Sequence, residues 1–357
     1  MSRQCWIVSL LLTGLLVFVS FGEIVTAHDV GSLSENLLLN GSFDDLRFER
    51  FYPNHFVAGG WERWWIHGSV LPEFDDVAKR DGAREHIYID GGHAQVYFKW
   101  GDTYTAGIYQ VINGLTPCRP YRLTMHGRTH SVEDAQPGSR IGLDPLGERL
   151  TLSADDSAVH DSTPLHRTVW SREQTELFKW EELEVTAEPL GDRLTAILYA
   201  SPRPSSRPVY HYYDTFWDAG ALRPATYESG RLPAPTQATT GFIDNVQAAA
   251  DGNEVAISWD LGGPGASQVW YTLITPTTAA PTIPMTHTIY MPLTNRFSLT
   301  FDQETALDFA TTEGEHTVTV TDLQSGQIVN YIVLARRLSG GACITEYAGP
   351  FAIQVDR

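Results

Sequence analysis

Trp64, Trp65, Tyr97, Trp100, His126, Arg128, Arg140, Asp144 and Trp170 are the residues of this 357-residue sequence whose types suit a flat, weakly polar ligand. A sugar ring presents C–H faces and hydroxyls. A groove that pairs aromatic platforms with a few planar hydrogen-bonding side chains therefore matches it. Trp61, Tyr104 and Gln95 belong to the same wider set. Each Trp taken singly reads more readily as core, because Trp is highly buried on average. The polar members read equally well as a solvated sheet face carrying an ion pair of little energetic worth.

These side chains must be positioned by strands. Tyr121, Leu123 and Met125 alternate with Arg122, Thr124, His126, Arg128 and His130, so one set points away from whatever the other is buried in. Val96 and Phe98 alternate with Gln95, Tyr97 and Lys99, and Ile141 and Leu143 with Arg140 and Asp144. The aromatic stretch from Arg47 to His67 has loop-like spacing, and the polar run from Gly147 to Pro164 reads as a long loop of the kind that tends to be functional. Tyr210 to Leu222 reads as a closing strand with Asp214 and Asp218 on one face.

The organisation follows from composition. Arg3, an apolar run from Trp6 to Phe21 and Val25-Thr26-Ala27 predict a leader over 1–27 that ends at a signal-peptidase site, with an uncleaved anchor as the alternative. The chain is therefore expected to be secreted or at the cell surface. A β-domain over 28–222 is followed by a Pro-, Ala- and Thr-rich linker over 223–242 and a second β-module over 243–357. A formal net charge of −18 speaks against nucleic acid and against a broad contact with an anionic membrane. Cys118 and Cys343 fall in different modules and read as two separate thiols, since a bridge would have to link the domains.

Two other chemistries are weaker. Glu182 and Glu184 stand about 7 Å apart on one strand face, nominally within the spacing of a glycosidase pair, and equally suit a charged edge strand. His126 and His130 lie about 13 Å apart at the strand rise, too far to share a zinc ion. Asp44 or Asp45 at the start of the first module and Asp218 at its end supply hard oxygens that could hold a structural calcium, or serve as turn caps.

The motifs carry a resemblance. Asn36-Leu37-Leu38-Leu39-Asn40-Gly41-Ser42-Phe43-Asp44, the segment from Ile108-Tyr109-Gln110-Val111 to Tyr121-Arg122-Leu123, and Tyr213 to Leu222 resemble the opening, central hairpin and terminal strand of jelly-roll carbohydrate-binding modules of the family 4/9 type. Arg140 to Pro145, Val169-Trp170-Ser171 and Tyr210 to Asp218 are similar to secreted bacterial proteins built on that module. Cys118 stands where Gly is usual in the hairpin. Ile257-Ser258-Trp259, Ser267 to Tyr271, His316-Thr317-Val318 and Tyr331 to Phe351 resemble fibronectin type III domains.

The resemblance implies an all-β chain, a jelly roll followed by a smaller immunoglobulin-like sandwich. It implies that the first module binds a polysaccharide without cleaving it, that the second is a spacer, and that a structural calcium joins the segments of Asp44 and Asp218. A structural or adhesive protein that docks a protein partner is the alternative. The two readings divide on whether the stretch from Phe56 to His67 walls a groove beside Arg140 or packs into the core.

Overall fold

The computed structural model describes residues 36–355 apart from 52–54, 78–88, 90, 133, 152–157, 160–162, 205–211, 228–229, 276–302, 306 and 311–313. The predicted leader lies outside the described residues, as do Tyr210 and His211. The chain is all-β as expected. The first sandwich contains β1 (Phe48–Phe51), β2 (His55–Ala58), β3 (Glu62–Trp65), β4 (Glu73–Asp76), β5 (Gln95–Trp100), β6 (Ala106–Asn113), β7 (Tyr121–His130), β8 (Ser139–Asp144), β9 (Val169–Trp170), β10 (Glu181–Ala187), β11 (Arg193–Ala200) and β12 (Tyr212–Pro224). The second contains β13 (Gln237–Ala238), β14 (Ile243–Asp251), β15 (Glu254–Leu261), β16 (Gly265–Ile274), β17 (Gln303–Glu304), β18 (Asp308–Ala310), β19 (Gly314–Val320), β20 (Ile328–Ser339) and β21 (Ala342–Gln354).

Two five-stranded sheets make the jelly roll, which we call front, in the order β10-β7-β12-β5-β4, and back, in the order β3-β6-β11-β8-β9. Their inner faces meet in one core, where Tyr97, Leu123, Met125, Leu183 and Trp217 of the front sheet pack with Ile108, Ile141, Leu143, Leu194 and Leu198 of the back. Trp217 fits because Gly127 faces it across the strand pair, and a Cβ there would lie 2.9 Å from the indole. The start and end of the domain are joined. Asn36 donates from its side chain to the Gly220 carbonyl and accepts from the Leu222 N–H, while Leu37 N–H donates to the Leu222 carbonyl.

The stretch from Arg47 to His67 is not a loop. It forms β1 and β2, paired as a hairpin, and then β3 at the edge of the back sheet. Its clustered aromatics hide a strand alternation, because apolar residues here face two different cores.

The second sandwich pairs β13-β21-β20-β16-β17, with β18 also on β16, against a sheet of β14-β15-β19 around Trp259, Val269, Val333 and Leu323. The Pro- and Thr-rich segment before it is ordered rather than a free tether. Leu232 is buried with Ala266, Ile332 and Leu334, Arg231 pairs with Glu304, and Gln237 and Ala238 run parallel to Glu346 and Tyr347 of β21. Threonine and alanine suit a β-edge as readily as a linker, and composition does not separate the two.

The cysteines are joined. Cys118 and Cys343 form a disulfide across 225 residues of sequence, contrary to the expectation of two thiols. A Cα–Cα separation of 5.5 Å places them within the normal range for a bridge. In the chain-entropy account, closing a loop of this length removes about 5 kcal/mol of freedom from the unfolded chain.

His55 tests the first core. Burial, then the nearby charges of Arg63 and Lys99, hold its imidazole down to about 4, well below the usual 6.5. The unfolded chain therefore takes up a proton between those values and the folded chain does not, so stability is complete above pH 6.5 and falls as pH drops towards 4. Chemical denaturation between pH 7 and 4 is expected to show this slope, and His55→Leu to flatten it.

Candidate functional site

The outer face of the back sheet takes Trp64 from β3, Tyr109 from β6, Ile197 and Tyr199 from β11, Arg140 and Asp144 from β8, and Trp170 from β9. It is a second small core. Trp64, Tyr109 and Ile197 are buried together with Leu150, Val159 and Leu165, which come from the polar-looking segment that follows β8. Val159 N–H donates to the Trp65 carbonyl at 2.7 Å and anchors that segment against β3.

Most of the predicted ligand set on this face serves packing. Trp64 lies down over Gly107, where a Cβ would meet its ring at 2.9 Å, and Trp170 lies over Gly142. Asp144 is buried and accepts from Arg167 Nε and Nη2 at 2.8 and 2.7 Å, a bidentate pair that Glu148 extends. Arg140 sits over the rings of Trp170 and Tyr199, at 4.3 and 4.8 Å from their centroids. That arrangement uses the aromatic faces a sugar would need. Trp65 and Tyr97 point the other way, into the main core. Trp64, Trp65, Tyr97 and Asp144 are buried and are corrected from platform to structure, while Trp170 and Arg140 are half-buried and stacked on one another.

Trp100, His126 and Arg128 remain, and the front sheet carries them. Register puts Asp214 opposite His130, Phe216 opposite Arg128 and Asp218 opposite His126, all on the outer face. Val96, Phe98 and Trp100 of β5 share it, opposite Phe216, Asp214 and Tyr212. Arg128 and Arg140 thus occupy opposite sides of the sandwich and cannot line one groove.

The lower part of this face is closed by apolar packing, in which Val96, Phe98 and Phe216 are buried with Val77 and Ala94 and half-buried Trp180 packs against them. Its upper end carries two exposed rings. Trp100 is 67% exposed and lies near Tyr212, ring centroids 5.9 Å apart and planes tilted by 45°. Phe178 is 42% exposed and lies beside β7, its N–H donating to the Thr129 carbonyl at 2.8 Å. Between them His130 is flanked by Phe178 and Phe216, at 5.3 and 4.9 Å.

From β5 through β12 and β7 to the Phe178 segment is three strand spacings, about 14 Å. Two exposed rings therefore bound a shallow row containing Tyr212, Asp214, His130 and, one step down, Arg128. Burial lowers the Arg128 guanidinium from its usual value. Phe178 and Tyr212 were not anticipated. Phe178 lies just ahead of β10, and only its neighbourhood to the outward set of β7 could have marked it.

The carboxylates expected to hold calcium are occupied by backbone donors. Ile89 and Ala219 N–H groups donate to Asp218, each at 2.6 Å, and Gly92 and His93 N–H groups donate to Asp44 at 2.9 and 3.1 Å. Gly91, at φ +61°, lies so close to the Asp44 carboxylate that a Cβ would overlap it. Asp44 and Asp218 fit the turn-capping role.

Glu182 and Glu184 are exposed on β10, an edge strand, with Glu184 4.0 Å from Arg122. No partner group faces them across a cleft among the described residues.

No family model matches this chain, and no curated protein matches it. Solved structures resemble it weakly. A family 61 carbohydrate-binding module in complex with β-1,4-galactotriose is 15% identical over 54% of this chain and 100% of that one, with a TM-score of 0.33. The tandem CBM22 domains of Xyn10C from Paenibacillus barcinonensis are 10% identical over 90% of each chain, with a TM-score of 0.30. A β-1,2-glucanase from Parabacteroides distasonis is 11% identical over 84% of this chain and 37% of its own, with a TM-score of 0.22. Scores of this size assign no ligand.

Two outcomes follow from the geometry. Trp64→Ala is expected to cost about 3 to 5 kcal/mol in chemical denaturation, the range for deleting a buried large aromatic. The backbone donors on Asp44 and Asp218 suit turn capping and predict a melting temperature that chelator leaves unmoved; a drop on chelation, restored by calcium, would assign those residues to metal ligation.

Proposed function

We propose that the jelly roll binds a glycan, without cleaving it, across the upper end of its front sheet. The stretch from Phe56 to His67 packs into the two cores and walls no groove beside Arg140, so the reading is carried instead by the row bounded by Trp100 and Phe178. Two exposed rings separated by planar polar groups suit alternate C–H faces and hydroxyls along a sugar chain. The resemblance of Asn36 to Asp44 and of Tyr213 to Leu222 to carbohydrate-binding modules supports the same class. A neutral glycan is favoured over an acidic one, because Asp214 lies in the row and the chain carries a net charge of −18.

The protein acts outside the cell in this proposal. A disulfide between modules is at home in an oxidising compartment and rare in a reducing one, which supports the reading of residues 1–27 as a secretory leader. The second module keeps its likeness to fibronectin type III domains as the support for a scaffolding role.

Retention of the full chain on a panel of soluble and insoluble glycans, against a heat-denatured control, tests the function. Saturable binding to one glycan class is expected. Trp100→Ala and Phe178→Ala should each weaken it about tenfold, or about 1.4 kcal/mol, whereas Arg140→Ala should leave it unchanged. Loss on Arg140→Ala with Trp100→Ala silent would move the site to the back sheet. Absence of retention across the panel would replace glycan binding by docking of a protein partner.

A further inference from the structure

The contacts between the two sandwiches converge on one end of the jelly roll. Cys118 lies in the turn between β6 and β7, held at φ +57° with its N–H donating to the Pro189 carbonyl at 2.9 Å. Glu188 follows β10 and reaches across to the second sandwich. Arg336 of β20 donates to it from Nε at 2.8 Å and Nη2 at 2.6 Å, and from Nη1 to Thr345 Oγ1 at 3.0 Å. Tyr227, from the connecting segment, donates its hydroxyl to Glu188 Oε1 at 2.6 Å and to the Cys118 carbonyl at 3.0 Å. The Arg336 guanidinium lies over the Tyr227 ring at 6.0 Å.

The pair is directional and largely out of water. Arg336 and Glu188 side chains keep only 13% and 20% of their exposure. A fork-to-fork Arg–carboxylate contact fixes orientation as well as distance, and partial burial shields it from salt. Behind it the connecting segment is zipped onto β21 through Thr236 and Thr239, whose N–H groups donate to the Thr345 and Tyr347 carbonyls. The disulfide lies at this same joint, because Cys343 pairs with Leu338 in the β20–β21 hairpin that also carries Arg336 and Thr345.

We infer that this joint is a two-layer lock, in which Glu188, Arg336 and Tyr227 set the angle between the sandwiches and the Cys118–Cys343 bridge secures it. The second sandwich is then a rigid mount rather than a flexible spacer. It grips the jelly roll at the end where β7 begins, and the row at Trp100 and Phe178 lies where β7 ends, about 30 Å away at the strand rise. The lock presents that free end outward at a fixed angle, whichever ligand it takes.

The two layers are separable by experiment. A phosphine reductant converts the bridge to two thiols and is itself oxidised to the phosphine oxide, with water supplying the oxygen and the protons. Small-angle scattering and limited proteolysis at 223–241 would be recorded on the full chain, oxidised and reduced, as wild type and as Arg336→Ala. Wild type should keep one radius of gyration in both states, and oxidised Arg336→Ala should match it. Reduced Arg336→Ala alone should expand and become cleavable in the connecting segment, with its far-UV circular dichroism unchanged.

Expansion of reduced wild type would overturn the non-covalent layer. A compact, resistant reduced Arg336→Ala would overturn the lock as a whole. Glu188→Gln, which keeps the shape and removes the charge, repeats the test if Arg336→Ala does not fold. Neither result depends on a ligand, so the lock and the glycan reading fail separately.

Discussion

Burial on both faces of both sheets is the constraint under which the first sandwich is built. A sheet in such a fold normally gives one face to the core and one to water, and an outward aromatic is then a natural platform. Here the back sheet spends its outer face on Trp64, Tyr109 and Ile197 beneath Leu150, Val159 and Leu165, and the front sheet closes the lower part of its own over Phe98 and Phe216. What stays open on the front sheet is the end where β5 and β7 finish and β12 starts. The location of the row at Trp100 and Phe178 follows from what the rest of the sandwich has covered.

The same constraint explains which parts of the site could be read in advance. Alternation on β7 is legible because one set is apolar and the other is not, and His126, Arg128 and His130 do point outward. On β5 the alternation is equally clear but the side is ambiguous. Gln95 and Tyr97 face the core while Val96 and Phe98 lie under the outer packing, since both faces are buried and a period of two does not say which is which. Asp214 and Asp218 do share a face of β12, as their spacing requires. That the face is the one carrying His126 and His130 comes from strand order, which pairs residues nearly ninety positions apart.

The corrections share a physical cause. A tryptophan beside a glycine in the neighbouring strand can lie flat on a sheet, and neither Trp64 with Gly107 nor Trp170 with Gly142 announces that pairing in sequence. Arg140 and Asp144 do face outward as expected, but the partners that take them, Trp170 and Arg167, arrive from the segment after β8. The disulfide is the extreme case. Two cysteines in different modules become neighbours only when Glu188 meets Arg336, and a thiol pair that looks improbable by separation is an ordinary bridge once the modules have docked.

Docking also changes what the second sandwich contributes. A flexible tether would let the jelly roll sample orientations and would lower the effective concentration of its free end near any extended surface. A fixed joint does the reverse, because the orientational entropy is lost once, on folding, and not again on each encounter. The glycan site proposed for the row is shallow, with two exposed rings and few deep contacts to hold a ligand. Removing that later cost is therefore where a mount of this kind has most to contribute, and it does so from the opposite end of the strands without touching the ligand.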